Sequence, residues 1–238
     1  MHVHIDRLNS LELKIHQNLL AASKEHSSLT ITEAAEIAGV SPSKISKFVK
    51  KLGFSGYKEY ARFLSGKELV KQKKMNNEFT RIQDFMENFE EDNAEYIAEL
   101  IDTYDKIILF GYGPTHIALE YFEYKLNYTV DKNIILATQE SLIPSLISDK
   151  TLLLIFSVAG KFAQFDYLFQ EAAKKKAKVL LILEELNTEI NLENHETIYL
   201  TKSHQSESLN SHEKTRTVFF LVIEEIIQKL NQNKKSST

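Results

Sequence analysis

The sequence of 238 residues contains no cysteine, only three prolines and seven glycines, and no long apolar run. Without cysteine, the chain can form neither disulfides nor thiolate metal sites, and it has no cysteine nucleophile. Its longest apolar run, residues 218–223, is far shorter than the roughly 20 residues that cross a bilayer. The first ten residues lack the basic region and apolar core of a signal peptide. These absences predict a cytoplasmic protein.

Positive and negative charges are unevenly distributed along the chain. Residues 1–75 contain 13 Lys and Arg against 7 Asp and Glu, whereas the remaining residues contain 16 against 26. Residues 41–74 are the most basic, with 10 basic and 2 acidic side chains. This distribution favours a basic module that binds a polyanion, joined to a module that does not. A solvated charged surface would give the same counts, so charge alone leaves both interpretations open.

Two kinds of periodicity divide the chain. Apolar residues recur every three or four positions up to residue 64 and again over 79–101, as in amphipathic helices. From residue 106 onward, helical segments alternate with short apolar runs at 107–110, 134–137, 152–156, 179–183 and 198–200. Strands that alternate with helices indicate a parallel sheet with helices on both faces.

The change in periodicity sets the predicted domain boundaries. A helical domain is predicted over 1–74, a linker helix region over 75–105 and an α/β domain over 106–238. The polar, basic segment KQKKMNN at 71–77 is the predicted connection between the first two.

Residues 31–50, ITEAAEIAGVSPSKISKFVK, have the pattern of a helix-turn-helix. Ala35 is small enough for a second helix to cross the first there, and Gly39 tolerates a positive φ in the turn. The apolar residues that flank the turn and face inward are Val40, Ile45 and Phe48. All positions that the geometry constrains are therefore suitably occupied.

The exposed side of the second helix is the predicted DNA-binding surface. Its hydroxyls and lysines can reach base edges near the helix N-terminus and phosphates further along. The candidate DNA-binding residues are Ser41, Ser43, Lys44, Ser46, Lys47, Lys50 and Lys51. In the alternative interpretation, Ser41 is only the helix cap, the last two lysines are solvated surface, and the motif is a small interaction module.

The segment LTITEAAEIAGVSPSKISKFVKKLGFSGYKEYARFL, residues 29–64, closely resembles the N-terminal domain of the RpiR (MurR) family of bacterial sugar-metabolism regulators. Many members have arginine where Lys47 stands, and lysine lacks the forked contact that arginine makes with guanine. Residues from about 94 to 230 resemble the sugar isomerase (SIS) domain of that family. The resemblance implies an α/β three-layer sandwich with a five-stranded parallel sheet, and binding of a phosphorylated sugar.

A glycine turn at 111–113 follows the first predicted strand and leads into a helix. Such a turn presents N–H groups and a partial positive charge that suit an anion, so Gly113 and Thr115 are candidate ligand-binding residues. The dinucleotide-binding fingerprint is not met, because His116 occupies its third glycine position. The same glycines would also make an ordinary tight turn.

The resemblance implies a second part of this site, after the third strand. The family pattern there is Ser-x-Ser-Gly-x-Thr, and this chain reads SVAGKF over 157–162. Ser157 and Gly160 match, but alanine and phenylalanine replace two hydroxyl residues. Lys161 can compensate with its charge, or Phe162 can occlude the site. Ser141, after the second strand, is the remaining hydroxyl candidate.

Three interpretations of the site stay open at this point. It is an altered sugar-phosphate pocket, a more aromatic pocket for a different ligand, or a domain that has lost its ligand and only dimerises.

Taken together, these features predict a DNA-binding transcriptional regulator of carbohydrate metabolism. Its predicted partners are a near-palindromic operator in double-stranded DNA and a sugar phosphate effector, and the chain is expected to be a homodimer or tetramer without membrane association. No catalytic residue and no cofactor are predicted. No metal site is predicted either, because the eight histidines lack the spacing of a zinc site. The alternatives are a sugar-phosphate isomerase and an architectural DNA-binding protein without an effector.

Overall fold

The computed structural model describes residues 2–3, 8–25, 29–64, 78–160, 164–187, 196–206 and 208–236. The N-terminal helices are α1 (Ser10–Glu25), α2 (Ile31–Ala38), α3 (Pro42–Lys51) and α4 (Tyr57–Leu64). Two further helices, α5 (Glu78–Asn88) and α6 (Glu91–Thr103), precede the sheet. The apolar stripe over 79–101 therefore belongs to two helices. The predicted boundary at residue 74 lies outside the described residues, and the domain limits stay predictions.

The C-terminal part alternates strands and helices as predicted. Its strands are β2 (Lys106–Phe110), β3 (Asn133–Leu136), β4 (Thr151–Ser157), β5 (Lys178–Leu183) and β6 (Glu196–Tyr199). Its helices are α7 (Pro114–Thr129), α8 (Ile143–Leu146), α9 (Gln164–Lys174) and α10 (Thr217–Ser236), with a 3-10 turn at Glu140–Leu142. All five predicted apolar runs overlap strands.

The five strands form one parallel sheet, which confirms the predicted fold class. Their order is β6-β5-β4-β2-β3, so that β4 lies at the centre, between β5 and β2. A two-residue strand, β1 (His2–Val3), extends the sheet by pairing antiparallel with β6, where His2 lies opposite Ile198. The sequence does not predict β1, because two residues are too few to show a strand period.

Helices cover both faces of the sheet. Along β2, Ile108 and Phe110 face the α8 and α9 side, whereas Ile107 and Leu109 face the side of α6, α7 and α10. Every residue of β4 is buried, as expected for a central strand with helices on both faces. Within the described residues, no helix has both the length and the apolar character that a membrane crossing needs.

The helix-turn-helix forms where the sequence predicts it. Thr30 caps α2 in a reciprocal capping box with Glu33, and Gly39 ends that helix with a φ of 65°. Ser41 caps α3, since its hydroxyl accepts a hydrogen bond from the Lys44 N–H at 3.3 Å. The small domain is packed around apolar side chains that include Ile15, Leu19, Ala35, Ile45 and Phe48.

The helical domain contacts the edge of the sheet at the end of β6. The Phe63 ring packs edge-on against Tyr199, with 6.3 Å between the ring centroids. Nearby, the ammonium of Lys202 lies 3.9 Å from the carboxylate of Glu59. One aromatic contact and one long ion pair thus link the helix-turn-helix domain with β6.

A buried carboxylate attaches α3 to α1. Glu12 of α1 is 5% exposed, and its two oxygens accept hydrogen bonds from Lys44 at 3.2 Å and Lys51 at 2.6 Å. The bond from Lys51 outweighs burial and lowers the pKa of Glu12 to about 2. Two lysines of the predicted DNA-binding set therefore also stabilise the packing of the domain.

Gly39→Ala is expected to lower the free energy of unfolding by about 1 kcal/mol, because a side chain disfavours the positive φ of this position. An added Cβ would have no atom within 4 Å, so the backbone conformation is the only source of the cost. Gly56 also has open space but no positive φ, which makes Gly56→Ala the matched control. Urea denaturation followed by circular dichroism measures both, and equal effects would contradict the assignment of the turn.

Glu12→Gln is expected to lower the stability at pH 7 by about 1 kcal/mol, since the two lysines lose an ionic partner but remain partly solvated. A carboxylate with a lowered pKa stabilises the fold fully above its unfolded pKa of about 4.3. The difference between wild type and variant should therefore disappear as the pH falls from about 4.3 to about 2. Glu36→Gln, at an exposed glutamate of α2, is the control in the same pH series. A difference independent of pH would contradict the ionic role.

Candidate functional site

The predicted DNA-binding residues of α3 differ in their exposure and in their partners within the domain. Ser43, Lys47 and Lys50 are exposed and spaced four and three residues apart, so they share one helix face. Ser46, between them, is half-buried. The other candidates have partners within the domain: Ser41 caps α3, and Lys44 and Lys51 bind Glu12. The residues of α3 that are free to contact DNA are mainly Ser43, Lys47 and Lys50.

Lys50 also lines a groove beside the C-terminal domain. This groove, of about 530 Å³, is bounded on one side by residues 53–55 and Glu59 and on the other by Glu90 and Lys202. Lys47, one helical turn earlier, is not part of the groove lining.

A cavity of about 200 Å³ lies at the carboxyl ends of the central strands. Its polar lining consists of Tyr112, Thr115, Ser157, Ser211, Lys214 and Arg216. Its apolar lining consists of Phe156, Val158 and Ala159. In open α/β sheets, ligands bind outside the carboxyl ends of the strands. The position and the mixed lining mark this cavity as the candidate ligand site.

The glycine turn before α7 brings the backbone close to the cavity but does not leave its N–H groups free. A Cβ on Gly111 would lie 2.8 Å from Thr115 Cγ2 and 3.0 Å from the Phe156 carbonyl, so only glycine fits there. The N–H of Thr115 donates to the Tyr112 carbonyl at 3.2 Å, and that of His116 to the Gly113 carbonyl at 3.0 Å. The sequence predicts free N–H groups at this turn. That prediction is wrong for the N–H groups of Thr115 and His116, because each donates to a carbonyl of the turn itself.

Positive charge in the cavity comes instead from the segment before α10. Arg216 is 9% exposed, and its Nε donates to the Thr115 hydroxyl at 3.2 Å. Its Nη1 donates to the carbonyls of Ser211 and Lys214. Among the described residues, its Nη2 has no acceptor and its guanidinium has no carboxylate partner. Burial lowers the pKa of Arg216, but a guanidinium keeps its charge in proteins.

Lys214 is the second cation of the lining, and it is paired. Its ammonium lies 3.1 Å and 3.2 Å from the two carboxylate oxygens of Glu185, at the carboxyl end of β5. Glu185 also lies 3.8 Å from the His204 ring and accepts the N–H of Gln205 at 2.8 Å. Its interactions with His204, Gln205 and Lys214 together outweigh burial and lower its pKa. An incoming anion would compete with Glu185 for Lys214, whereas no carboxylate among the described residues forms a direct ion pair with Arg216.

The predicted ligand-binding residues are distributed unevenly around this cavity. Thr115 and Ser157 line it, and the Ser157 hydroxyl accepts the Gly160 N–H at 3.0 Å. Gly113 and Gly160 belong to the two adjoining turns without lining the cavity. Ser141 is exposed in the 3-10 turn and does not line it either. Lys161 and Phe162 lie outside the described residues. Whether any of these residues binds a ligand stays a prediction.

Sequence reasoning missed Lys214 and Arg216. The signal that could have identified them is their position directly before the N-terminus of α10. Cations are disfavoured there, because the N-terminus of a helix carries a partial positive charge. Two basic residues at that place are more easily explained if an anion joins them. The distance of 101 residues between Arg216 and Thr115 is why no local motif shows the pair.

No described residue that lines the cavity is a carboxylate or a histidine. Glu184, at the end of β5, is fully buried beneath the cavity lining, and burial raises its pKa to about 7 despite the nearby Arg81. Its carboxylate binds Arg81 and Gln205 rather than facing the cavity. In the part of the chain that the structure describes, no group of three or more His, Cys, Asp or Glu could hold a metal ion.

Comparison with known proteins agrees with both halves of this architecture. Residues 1–72 match the helix-turn-helix domain of the rpiR family. NanR of Vibrio vulnificus, solved with ManNAc-6P, shares the fold with a TM-score of 0.53 and 16% identity, over 98% of this chain and 90% of NanR. None of the curated proteins matches the sequence.

Two further structures match only the C-terminal part. The sugar isomerase domain of an RpiR transcription factor from Sphaerobacter thermophilus has a TM-score of 0.53 and 13% identity, over 66% of this chain and 89% of that one. A protein from Methanococcus jannaschii, for which a 3-hexulose-6-phosphate isomerase function was inferred, has a TM-score of 0.50 and 18% identity, over 65% and 85%. The N-terminal residues of the chain thus match the helix-turn-helix domain of the rpiR family, and the C-terminal part shares the fold of a sugar isomerase domain.

Proposed function

We propose that this protein is a DNA-binding transcriptional regulator of carbohydrate metabolism whose C-terminal domain binds a sugar phosphate. The observation that carries the ligand proposal is Arg216, a buried guanidinium that faces a cavity and lacks a carboxylate partner among the described residues. A buried guanidinium without a direct ion pair is costly, so the site favours an anionic ligand. The rpiR-family helix-turn-helix domain carries the DNA-binding part of the proposal.

A sugar phosphate suits the cavity for two reasons. Arginine offers several donors in a fixed plane, which match the oxygens of a phosphate. The hydroxyls of Thr115, Ser157 and Ser211 provide polar partners for the sugar or the remaining phosphate oxygens. NanR, which has the same overall fold, was solved with ManNAc-6P. We therefore favour an altered sugar-phosphate pocket over a domain that only dimerises.

The DNA-binding surface that we propose is the face of α3 with Ser43, Lys47 and Lys50. A recognition helix reads base edges with its first turns and reaches phosphates with its later ones. We further propose that two copies of the chain place two such helices on the half-sites of a near-palindromic operator. The setting that we propose is the cytoplasm, where both the operator and phosphorylated sugars are accessible.

We propose that the C-terminal domain senses its ligand without converting it. Interconversion of aldose and ketose phosphates requires a base that moves a proton beside the carbonyl. The described lining of the cavity supplies hydroxyls and cations but no carboxylate or histidine. Glu184 and Glu185, the nearest carboxylates along the chain, are bound to Arg81 and Lys214. Turnover of a sugar phosphate by the purified chain would contradict this proposal.

Arg216→Gln is expected to weaken sugar-phosphate binding about 10-fold or more, since it removes charge-assisted hydrogen bonds. Isothermal titration of the full chain with a panel of hexose and N-acetylhexosamine phosphates, ManNAc-6P included, measures the affinities. Arg62→Gln, the same substitution at an exposed arginine of α4, should leave them unchanged. If no sugar phosphate binds the wild type, or if both variants behave alike, the proposed pocket is wrong.

Replacing Lys47 and Lys50 with alanine is expected to weaken binding to DNA from upstream of the protein's own gene about 10-fold or more. Fluorescence anisotropy at fixed salt measures this, and a salt series should show a shallower dependence because phosphate contacts are lost. Lys150→Ala removes an exposed lysine before β4 and is the control. Unchanged affinity of the double variant would exclude this face of α3 as the DNA-binding surface.

A further inference from the structure

We propose that Arg81, in the first helix after the helix-turn-helix domain, positions the segment that carries Lys214 and Arg216 and thereby couples the cavity to α5. This inference rests on the proposed function, because it takes the cavity to be the ligand site. It assigns a role to a helix that does not line the cavity and that no sequence motif connects with it.

Arg81 lies buried at the carboxyl edge of the sheet, with 4% of its surface exposed. Its Nη1 donates to Glu184, which follows β5 and is 0% exposed. Its Nε and Nη2 donate to the carboxylate of Glu78, one turn earlier on α5, at 2.9 Å and 2.6 Å. The guanidinium is therefore held by one carboxylate of its own helix and by one carboxylate of the sheet.

The same guanidinium binds the segment that carries the cavity cations. Its Nη2 donates to the Thr215 hydroxyl at 2.6 Å, and that hydroxyl donates to Glu78 at 2.8 Å. Thr215 stands between Lys214 and Arg216, both of which line the cavity. A shift of either cation toward a ligand therefore moves a residue that is directly bonded to α5.

Gln205 closes the network from the other end of the segment. Its side-chain amide donates to Glu184 at 2.7 Å and to the Thr215 carbonyl at 3.2 Å, and its carbonyl oxygen accepts the Thr215 N–H at 2.7 Å. Its own N–H donates to Glu185, the partner of Lys214. Thr215 is thus fixed from both sides, by α5 through Arg81 and by β5 through Gln205.

The charges of this cluster explain why an anion would change it. Arg81, Lys214 and Arg216 face the carboxylates of Glu78, Glu184 and Glu185. An anion in the cavity attracts Lys214 away from Glu185 and adds negative charge beside Glu184. Both changes alter the electrostatic attraction between the Arg81 guanidinium and its carboxylate partners, because buried charges interact strongly. The nearest element that can respond is α5, which follows the end of α4 by fourteen residues.

Amide hydrogen exchange of the full chain, with and without saturating inorganic phosphate, tests the coupling. In the wild type, phosphate is expected to slow exchange in residues 208–216 and also in α5. Thr215→Val keeps the Arg81–Glu184 pair and the shape of the side chain but removes the hydroxyl that joins them to the segment. In this variant, phosphate should still slow exchange in residues 208–216 and should no longer affect α5.

A double variant, Arg81→Gln with Glu184→Gln, tests the positioning role without leaving one charge buried alone. Its affinity for inorganic phosphate should be about 10-fold lower than that of the wild type. Gln83→Ala, at an exposed residue of α5 that bonds only to Glu87, is the control and should change neither readout. If the double variant does not fold, the Thr215→Val experiment decides the question alone.

The possible results separate the two proposals. Protection of residues 208–216 without any response of α5 in the wild type would overturn the coupling and leave the ligand site intact. A response of α5 that persists in Thr215→Val would also overturn it. If phosphate protects neither region, the ligand site itself is wrong, and the coupling fails with it.

Discussion

A buried guanidinium without a direct ion pair among the described residues is the constraint on which the proposed ligand site depends. Arg216 is held at the cavity by Thr115 and by two carbonyls of its own segment, so its position is fixed although no carboxylate binds it directly. Such an arrangement is unfavourable for stability alone, because an apolar residue would fill the space at lower cost. It is favourable when an anion binds, since the donors are already oriented and little order is lost on binding.

This constraint also explains how the proposed site could lose hydroxyls and still attract an anion. Ala159 stands where the resemblance implies a serine, and it lines the cavity with an apolar surface. The N–H groups of Thr115 and His116 are used by the glycine turn. The cations before α10 supply the missing interaction from the other side of the cavity. The result is a site that relies more on charge and less on a cradle of hydroxyls, which favours anions over neutral sugars.

The fold was predictable from the sequence because its determinants are local. Five apolar runs of three to five residues overlap five strands, and Ala35, Gly39 and Ser41 place the turn between α2 and α3. Strand β1 was missed because two residues carry no periodicity, and its pairing with β6 is decided almost 200 residues away. The intramolecular partner of two predicted DNA-binding lysines was also missed. Lys44 and Lys51 look equivalent to Lys47 along the chain until Glu12 of α1 binds them.

The ligand site was less predictable, since its parts come from distant segments. Thr115 and Ser157 could be found from the strand ends that precede them, but Arg216 is recognisable only once the chain has folded around it. The same holds for Glu184, whose partner Arg81 lies 103 residues earlier. Tertiary packing determines ionic partners of this kind, and a single sequence contains no spacing pattern that links them.

A regulator needs more than two sites in one chain, because a ligand shifts an equilibrium only by its difference in affinity for the two states. The described contacts between the N-terminal residues and the sheet include one aromatic pair, a 3.9 Å ion pair and the pairing of β1 with β6. In the proposed function, a ligand that favours one arrangement of these contacts over another would change the position of the DNA-binding helix. In the proposed coupling, the charged cluster around Arg81 joins the cavity to α5, the helix that follows the DNA-binding domain. A ligand that changes this cluster would favour one arrangement of the two domains over another.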